Sequence, residues 1–143
     1  MKTETTLNWV ENLHFQANID GFTLDVDSIT EENENGAGPR PKPLLLASLG
    51  GCTAMDVISI LKKMKSDIST FKMHVEAEIA EEHPKKFTGI TLTYEIAGKD
   101  VKPENVKKAV ALSIERYCGV YATLILALPI KANIRLNGEL ISD

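Results

Sequence analysis

The stretch "PKPLLLASLGGCTAMDVISILKKMK", residues 41–65, constrains the fold more than any other part of this 143-residue chain. Apolar residues fall on nearly every side of it from Leu44 to Met64, which predicts a central helix that is enclosed on most sides. Prolines at its start suit a first helical turn, where a missing N–H group costs nothing. Within it stands Gly50-Gly51-Cys52, although each glycine costs roughly 1 kcal/mol in a helix relative to alanine.

Alternation of apolar and polar residues predicts strands on both sides of this helix. Residues 15–26 read as a hairpin around Asp20-Gly21, because both positions of such a turn need a positive φ. The remaining elements are a strand at 7–10, strands at 73–79 and 90–96, a helix at 103–118, a helix or turn at 121–128 and a strand at 130–138. This order predicts an α+β fold with mostly antiparallel sheet, in a single domain over residues 1–143.

Composition narrows the classes of partner. The chain is 43% hydrophobic and 25% charged, and its net charge of −4 argues against nucleic acid or an anionic membrane as partner. The N-terminus is polar and lacks the apolar core of a secretory signal. Charges and glycines within 41–65 argue against a membrane span. We therefore expect a cytoplasmic protein with reduced thiols.

Two cysteines are the candidate chemical groups. Cys52 lies in the middle of the long helix, and Cys118 ends the later helix, with Gly119 as the residue that terminates it. They are either two small buried hydrophobic residues or a redox pair. Gly50-Gly51 either permits close packing or clears space for a ligand to reach the sulfur, and the two interpretations are compatible. No metal-type spacing is present, so we expect no metal ion and no cofactor.

The segments "GPRPKPLLLASLGGCTAMDV" and "IERYCGVYATL" resemble the OsmC/Ohr family of osmotically inducible and organic hydroperoxide resistance proteins. The resemblance covers nearly the whole chain. It implies antiparallel sheets wrapped around a central buried helix in an intertwined homodimer. It also implies a thiol peroxidase that reduces organic hydroperoxides, and hydrogen peroxide less well. By this analogy Cys52 becomes a sulfenic acid, Cys118 condenses with it to a disulfide, and an external dithiol restores both thiols.

The chain departs from the family at the charged groups around the thiol. Active members use an arginine steadied by a glutamate, but Lys42 and Pro43 stand where relatives carry that glutamate, and residues 1–39 contain no arginine. Arg40 and Arg116 remain, and Arg40, nearest to the helix start, is our candidate for the activating cation. The missing glutamate supports an alternative function, a non-enzymatic small-molecule binder or redox sensor.

Asp56 follows Cys52 by one helical turn and shares its face. Since an unpaired carboxylate would oppose a thiolate, we expect Asp56 to anchor an arginine or lysine, or to cap backbone in a dimer core. Glu115-Arg116 either places charge near Cys118 or forms a solvated face. From helix spacing we expect a substrate pocket lined by Leu49, Met55 and Tyr121, His74 and His83 at the surface, a lower pKa for Cys52 than for Cys118, and Cys118 as the mobile partner.

Overall fold

The computed structural model describes residues 1–142 and has an α+β architecture, with two sheets and three helices in that range. The chain divides into two compact units, Met1–Leu45 and a second one from Leu46 onward. The order of strands and helices agrees with the order predicted from the sequence. The prediction of a single domain over residues 1–143 stays a prediction.

The first unit holds an antiparallel sheet of three strands, β1 (Thr6–Glu11), β2 (His14–Ile19) and β3 (Phe22–Val26). Asp20 and Gly21 join β2 to β3 with φ values of 50° and 83°, so the predicted hairpin turn is confirmed. The buried carboxylate of Asp27 then orders the following loop. It accepts hydrogen bonds from the backbone N–H groups of Ser28 and Ala37, at 2.7 and 2.9 Å.

One face of this first sheet is apolar, and most of its large side chains are exposed in the single chain. The register pairs Leu7 with Ala17 and Trp9 with Phe15, so these side chains share a face. Trp9 is 66% exposed and Phe22 is 77% exposed. Other large apolar side chains of this face are also exposed: Leu7, Phe15 and Ile19.

The second sheet, in the order β4-β5-β6-β7, consists of β4 (Thr70–Ile79), β5 (Phe87–Ala97), β6 (Ile130–Leu136) and β7 (Glu139–Leu140). Strands β4 and β5 pair antiparallel, as expected of neighbouring strands. Strands β5 and β6 pair in parallel, which the alternation pattern could not reveal. A parallel pair needs a long crossover, and helical segments provide it here.

That crossover contains α2 (Pro103–Leu112), a π-helical turn (Ser113–Tyr117) and α3 (Gly119–Leu124). The sequence predicted one helix ending at Cys118, with Gly119 as the terminating residue. Instead, Cys118 is the N-cap of α3 and Gly119 is its first residue. The π-helical turn separates the two helices, because the N–H of Cys118 reaches back five residues to the carbonyl of Ser113 at 2.8 Å.

Helix α1 (Pro41–Lys63) carries the predicted prolines in its first turn and lysines in its last. Its buried stripe repeats every four residues and packs in the core of the second unit: Leu49, Thr53, Val57 and Leu61. Other positions are exposed in the single chain, including Met55 at 73%. The predicted enclosure therefore applies to one stripe of the helix in the single chain.

The two glycines of α1 have different surroundings. A Cβ atom on Gly50 would lie 2.8 Å from Cγ2 of Val75 in β4, so this glycine permits a close approach of helix and strand. A Cβ atom on Gly51 would meet nothing within 4 Å. Close packing explains Gly50, but it does not explain Gly51.

Within residues 1–142, α1 is the one helix long and apolar enough to cross a membrane. The core helix of a soluble protein meets the same criterion. The buried stripe of α1 belongs to the core of the second unit, beside β5 and α2. The absence of a membrane partner stays a prediction.

Candidate functional site: a buried dithiol beside a carboxylate

Two of the three predicted catalytic residues lie together. Cys52 is half-buried in the middle of α1, and Cys118 is buried between the π-helical turn and α3. The two sulfur atoms and a carboxylate oxygen of Asp56 lie within 4.8 Å of one another. A disulfide needs about 2 Å between its sulfurs. Side-chain rotation would cover much of that difference, because rotation about χ1 alone moves a thiol sulfur by angstroms.

Cys118 is held at both its backbone and its side chain. Its N–H donates to the carbonyl of Ser113, and its Sγ accepts a hydrogen bond from the N–H of Tyr121 at 3.3 Å. We expected Gly119 to loosen this point of the chain and make Cys118 mobile. Gly119 begins α3 and does not end a helix, so the reason for that expectation is wrong, and the mobility of Cys118 stays a prediction.

The protonation of Cys118 follows from its burial. Burial raises the pKa of this thiol to about 11, since it penalises the charged form, and the neighbouring thiol of Cys52 adds to the effect. The carboxylate of Asp56 acts in the same direction, as a like charge beside a thiolate must. Cys118 is therefore a neutral thiol at physiological pH.

In the single chain a hydroxyl group positions Asp56, and the expected pairing with an arginine or lysine, or capping of backbone in a dimer core, stays a prediction. The Oγ of Ser113 donates to Oδ2 of Asp56 at 2.9 Å. The Oγ1 of Thr53 lies 2.8 Å from Oγ of Ser113, and the OH of Tyr94 lies 2.7 Å from Oγ1 of Thr53. The side chains of Tyr94, Thr53, Ser113 and Asp56 thus form one continuous hydrogen-bonded chain. It runs from the core to the carboxylate beside the thiols.

The carboxylate of Asp56, at the end of this hydrogen-bonded chain, determines which group donates in each hydrogen bond. An ionised carboxylate can only accept, so Ser113 donates to Asp56, Thr53 can donate to Ser113, and Tyr94 can donate to Thr53. Burial raises the pKa of Tyr94 to about 12, so its hydroxyl keeps its proton. Among the described residues, no buried side-chain N or O atom lacks a partner. The chain therefore holds Asp56 in one orientation beside the sulfurs.

Sequence analysis missed Thr53, Ser113 and Tyr94 as parts of the site. All three are fully buried polar residues at apolar positions of their elements. Thr53 belongs to the buried stripe of α1, Tyr94 to the inward face of β5, and Ser113 continues the buried face of α2. A polar residue on an otherwise apolar stripe was the available signal, since buried hydroxyls need partners.

The expected substrate pocket is not lined as predicted. Leu49 is fully buried in the core, while Met55 is mostly exposed. Asp56 instead forms part of a cleft of about 420 Å³, together with Ser59, Ile60, Lys63, Leu112 and Tyr117. This cleft brings solvent to the carboxylate. A larger cleft of about 590 Å³ lies in the first unit, between residues 11–14 and 27–37, and contains no cysteine.

The remaining charged residues and histidines predicted from the sequence are not members of the cluster of Cys52, Asp56 and Cys118. Arg40 is exposed and directly precedes α1, in the first unit, so its activating role stays a prediction. Glu115 and Arg116 are exposed on the π-helical turn, which favours a solvated face. His74 and His83 are exposed, as predicted.

The same cluster offers the donor atoms for a metal ion. Two thiolates and a carboxylate would suit a thiophilic ion such as zinc, which takes sulfur and oxygen ligands. Cys52 and Asp56 lie one turn apart on α1, but Cys118 comes from a different segment, so the spacing in the sequence does not indicate this group of three side chains. Our expectation of no metal ion stays a prediction.

Comparison with known proteins assigns this architecture to a protein family. The two sheets, the long helix with its cysteine and the second cysteine within the parallel crossover define an OsmC-like protein. The model of the family described as OsmC-like protein matches residues 32–133. The chain therefore belongs to the OsmC-like family.

Relatives support this placement. Protein YhfA of Escherichia coli (strain K12) is 36% identical over 118 residues, covering 82% of this chain and 85% of YhfA. A hypothetical protein from Aquifex aeolicus has a crystal structure with a TM-score of 0.85 and 28% identity, covering 96% of this chain and 98% of that one. The organic hydroperoxide resistance protein OhrB of Bacillus subtilis shares the fold, with a TM-score of 0.65 and 17% identity, covering 96% and 98%.

Proposed function

We propose that this protein is a thiol-dependent peroxidase that reduces organic hydroperoxides, and hydrogen peroxide less well. The observation that carries the proposal is the pair of thiols within 4.8 Å of each other in an OsmC-like fold. Two neutral buried cysteines would need no such proximity, whereas a disulfide-forming pair requires it. The name of OhrB suggests the class of oxidant, and its 17% identity carries the fold alone.

In this proposal Cys52 attacks and Cys118 resolves. Cys52 is half-buried and so within reach of an oxidant, while Cys118 is buried and protonated. The Cys52 thiolate attacks the terminal oxygen of ROOH, the O–O bond breaks, and Cys52 becomes a sulfenic acid. The alkoxide takes up the proton that the thiol released and leaves as ROH. The sulfenic acid then condenses with Cys118, releasing water, and an external dithiol reduces the disulfide. We assign Arg40 to stabilise the thiolate.

We propose a homodimer in the cytoplasm, with no nucleic acid and no membrane as partner. The exposed apolar face of the first sheet supports a second copy of the chain as its cover, because faces of this kind usually mark protein contacts. The net charge of −4 gives phosphate backbones and anionic lipids no electrostatic attraction.

The test is a stopped-flow assay of the purified, reduced protein with cumene hydroperoxide and dihydrolipoamide as the dithiol. We expect hydroperoxide consumption far above that of an equal concentration of free cysteine, with Cys52→Ser inactive. The matched control is hydrogen peroxide, which we expect to react more slowly. Consumption at the rate of free cysteine would contradict the peroxidase function.

One observation favours a second candidate, a small-molecule binder or redox sensor without turnover. Lys42 and Pro43 occupy the positions of the family's glutamate, and the carboxylate beside the thiols is Asp56. A carboxylate near the sulfurs opposes thiolate formation. A single oxidation per chain with no turnover in the presence of dithiol would support the sensor over the enzyme.

A further inference from the structure

Asp56 occupies a position beside the two thiols that the family resemblance does not explain. It lies one helical turn after Cys52, at the spacing that places two side chains on one face. Its carboxylate oxygen is also within 4.8 Å of Cys118. Each sulfur therefore has the same carboxylate as a neighbour.

Ser113 ties Asp56 to Cys118. The backbone carbonyl of Ser113 accepts the N–H of Cys118 at 2.8 Å, and its hydroxyl donates to Asp56 at 2.9 Å. One residue at the start of the π-helical turn thus positions the carboxylate and the thiol relative to each other. An α-helical turn would have bonded the N–H of Cys118 to residue 114, so this arrangement depends on the wider turn.

The carboxylate of Asp56 can accept a further hydrogen bond. Ser113 occupies Oδ2, and the hydroxyls of Thr53 and Tyr94 stand behind it as a chain of donors. A carboxylate has about four acceptor sites on two oxygens, so acceptor capacity remains beyond the hydrogen bond from Ser113. Asp56 also opens to the cleft of about 420 Å³, through which a proton can exchange with solvent.

We propose that Asp56 is the general base for Cys118, accepting its thiol proton while Cys118 attacks the oxidised sulfur of Cys52. The proposal deepens the proposed function and rests on it for the identity of the oxidant. In the peroxidase cycle, an electron pair of the Cys118 sulfur forms the S–S bond and the S–O bond of the sulfenic acid breaks. The proton passes to Asp56 and then to the departing hydroxide, which leaves as water.

The need for a base follows from the state of Cys118. Burial raises the pKa of this thiol to about 11, so the thiolate is a rare species at pH 7. The thiolate is the attacking form in disulfide chemistry. Removing the proton during the attack avoids waiting for this rare species, and a positioned base contributes roughly 10²–10⁴-fold.

The test separates this step from hydroperoxide chemistry. Reduced protein is mixed with excess 5,5′-dithiobis(2-nitrobenzoate), and release of thionitrobenzoate is followed at neutral pH. Attack by Cys52 on the reagent releases the first equivalent and leaves a mixed disulfide. Attack by Cys118 on that mixed disulfide releases the second equivalent and closes the Cys52–Cys118 bond, so the second phase reports Cys118 alone.

We expect Asp56→Asn not to slow the first phase, and to slow the second at least about tenfold. Asp56→Glu should restore part of the second phase. Asp67→Asn is the matched control, since it removes the same charge from an exposed position and should change neither phase. Ser113→Ala, which keeps the carboxylate but removes its positioning donor, should slow the second phase by a smaller factor.

Whether Asp56→Asn slows or accelerates the second phase decides the role of Asp56. A carboxylate acting only through its charge raises the pKa of Cys118, so its removal would accelerate the second phase. An accelerated or unchanged second phase in Asp56→Asn would overturn the proposal. If that variant does not fold, an unchanged second phase in folded Ser113→Ala would overturn it. Failure of the hydroperoxide assay leaves this test intact, because no hydroperoxide enters it.

Discussion

At the scale of single residues, the two cysteines are distinguished by their environments. Cys118 is buried, receives a hydrogen bond from the N–H of Tyr121, and lies beside an acidic side chain. Cys52 is half-buried on a helix with an open glycine before it. The order of acidity predicted for the two thiols stays a prediction.

We predict that iodoacetamide alkylates Cys52 first at every pH below about 9. The raised pKa of Cys118, about 11, keeps that thiol protonated up to this range, and its alkylation should increase only as pH rises from about 9 towards 11. Peptide mass spectrometry after timed quenching measures both sites. Alkylation of Cys118 before Cys52 at pH 7 would reverse the assigned roles.

The buried hydroxyl chain gives a second prediction at this scale. Thr53→Val keeps the shape of the side chain but leaves Tyr94 without its acceptor and Ser113 without its donor. Stranding buried polar groups costs about 1–3 kcal/mol, so we expect the free energy of unfolding in urea to fall by that amount. Thr123→Val is the control, because Thr123 is exposed and should change stability by less than about 0.5 kcal/mol. Equal losses in both variants would contradict the role of the chain.

At the scale of helices and strands, Gly50 and Gly51 give a matched pair. Alanine at either position gains about 1 kcal/mol of helix propensity. At Gly50 the added methyl group would press against the stiff side chain of Val75, and overpacking of this kind costs about 1–3 kcal/mol. We expect Gly51→Ala to be the more stable variant by about 1 kcal/mol or more in urea unfolding. Equal stabilities would contradict the close approach of α1 and β4 at Gly50.

The elements themselves could largely be predicted from the sequence, because each is set by a local pattern. The alternation of apolar and polar residues predicted β4 and β5, and the Asp20-Gly21 turn predicted the hairpin of β2 and β3. The run of apolar residues predicted α1. The π-helical turn and the parallel pairing of β5 with β6 could not be predicted, since neither changes local spacing.

The site was predictable only in part. The thiols were recognisable from their motifs, and their proximity followed from the resemblance. The link from Asp56 to Ser113 joins residues 57 positions apart, so only the folded chain reveals it. The prediction that Gly119 ends a helix was wrong, because this residue begins the next helix.

At the scale of the whole molecule, the exposed apolar face of the first sheet predicts a stable dimer. Trp9, the single tryptophan of the chain, lies on this face and reports its burial. We expect a dimer by sedimentation at micromolar concentration, with blue-shifted tryptophan emission. Phe22→Glu should give a monomer by sedimentation and red-shifted tryptophan emission. Thr23→Glu, on the opposite face of β3, should change neither measurement. A folded wild-type monomer at this concentration would contradict the dimer.

The central claim is that an organic hydroperoxide oxidises this chain through one pair of thiols. Intact-protein mass spectrometry after one equivalent of cumene hydroperoxide tests it most directly. We predict the loss of two thiols per chain and an intramolecular Cys52–Cys118 bond, while Cys118→Ser retains a sulfenic acid on Cys52 that dimedone captures. Wild-type protein that keeps both thiols under these conditions would contradict the account.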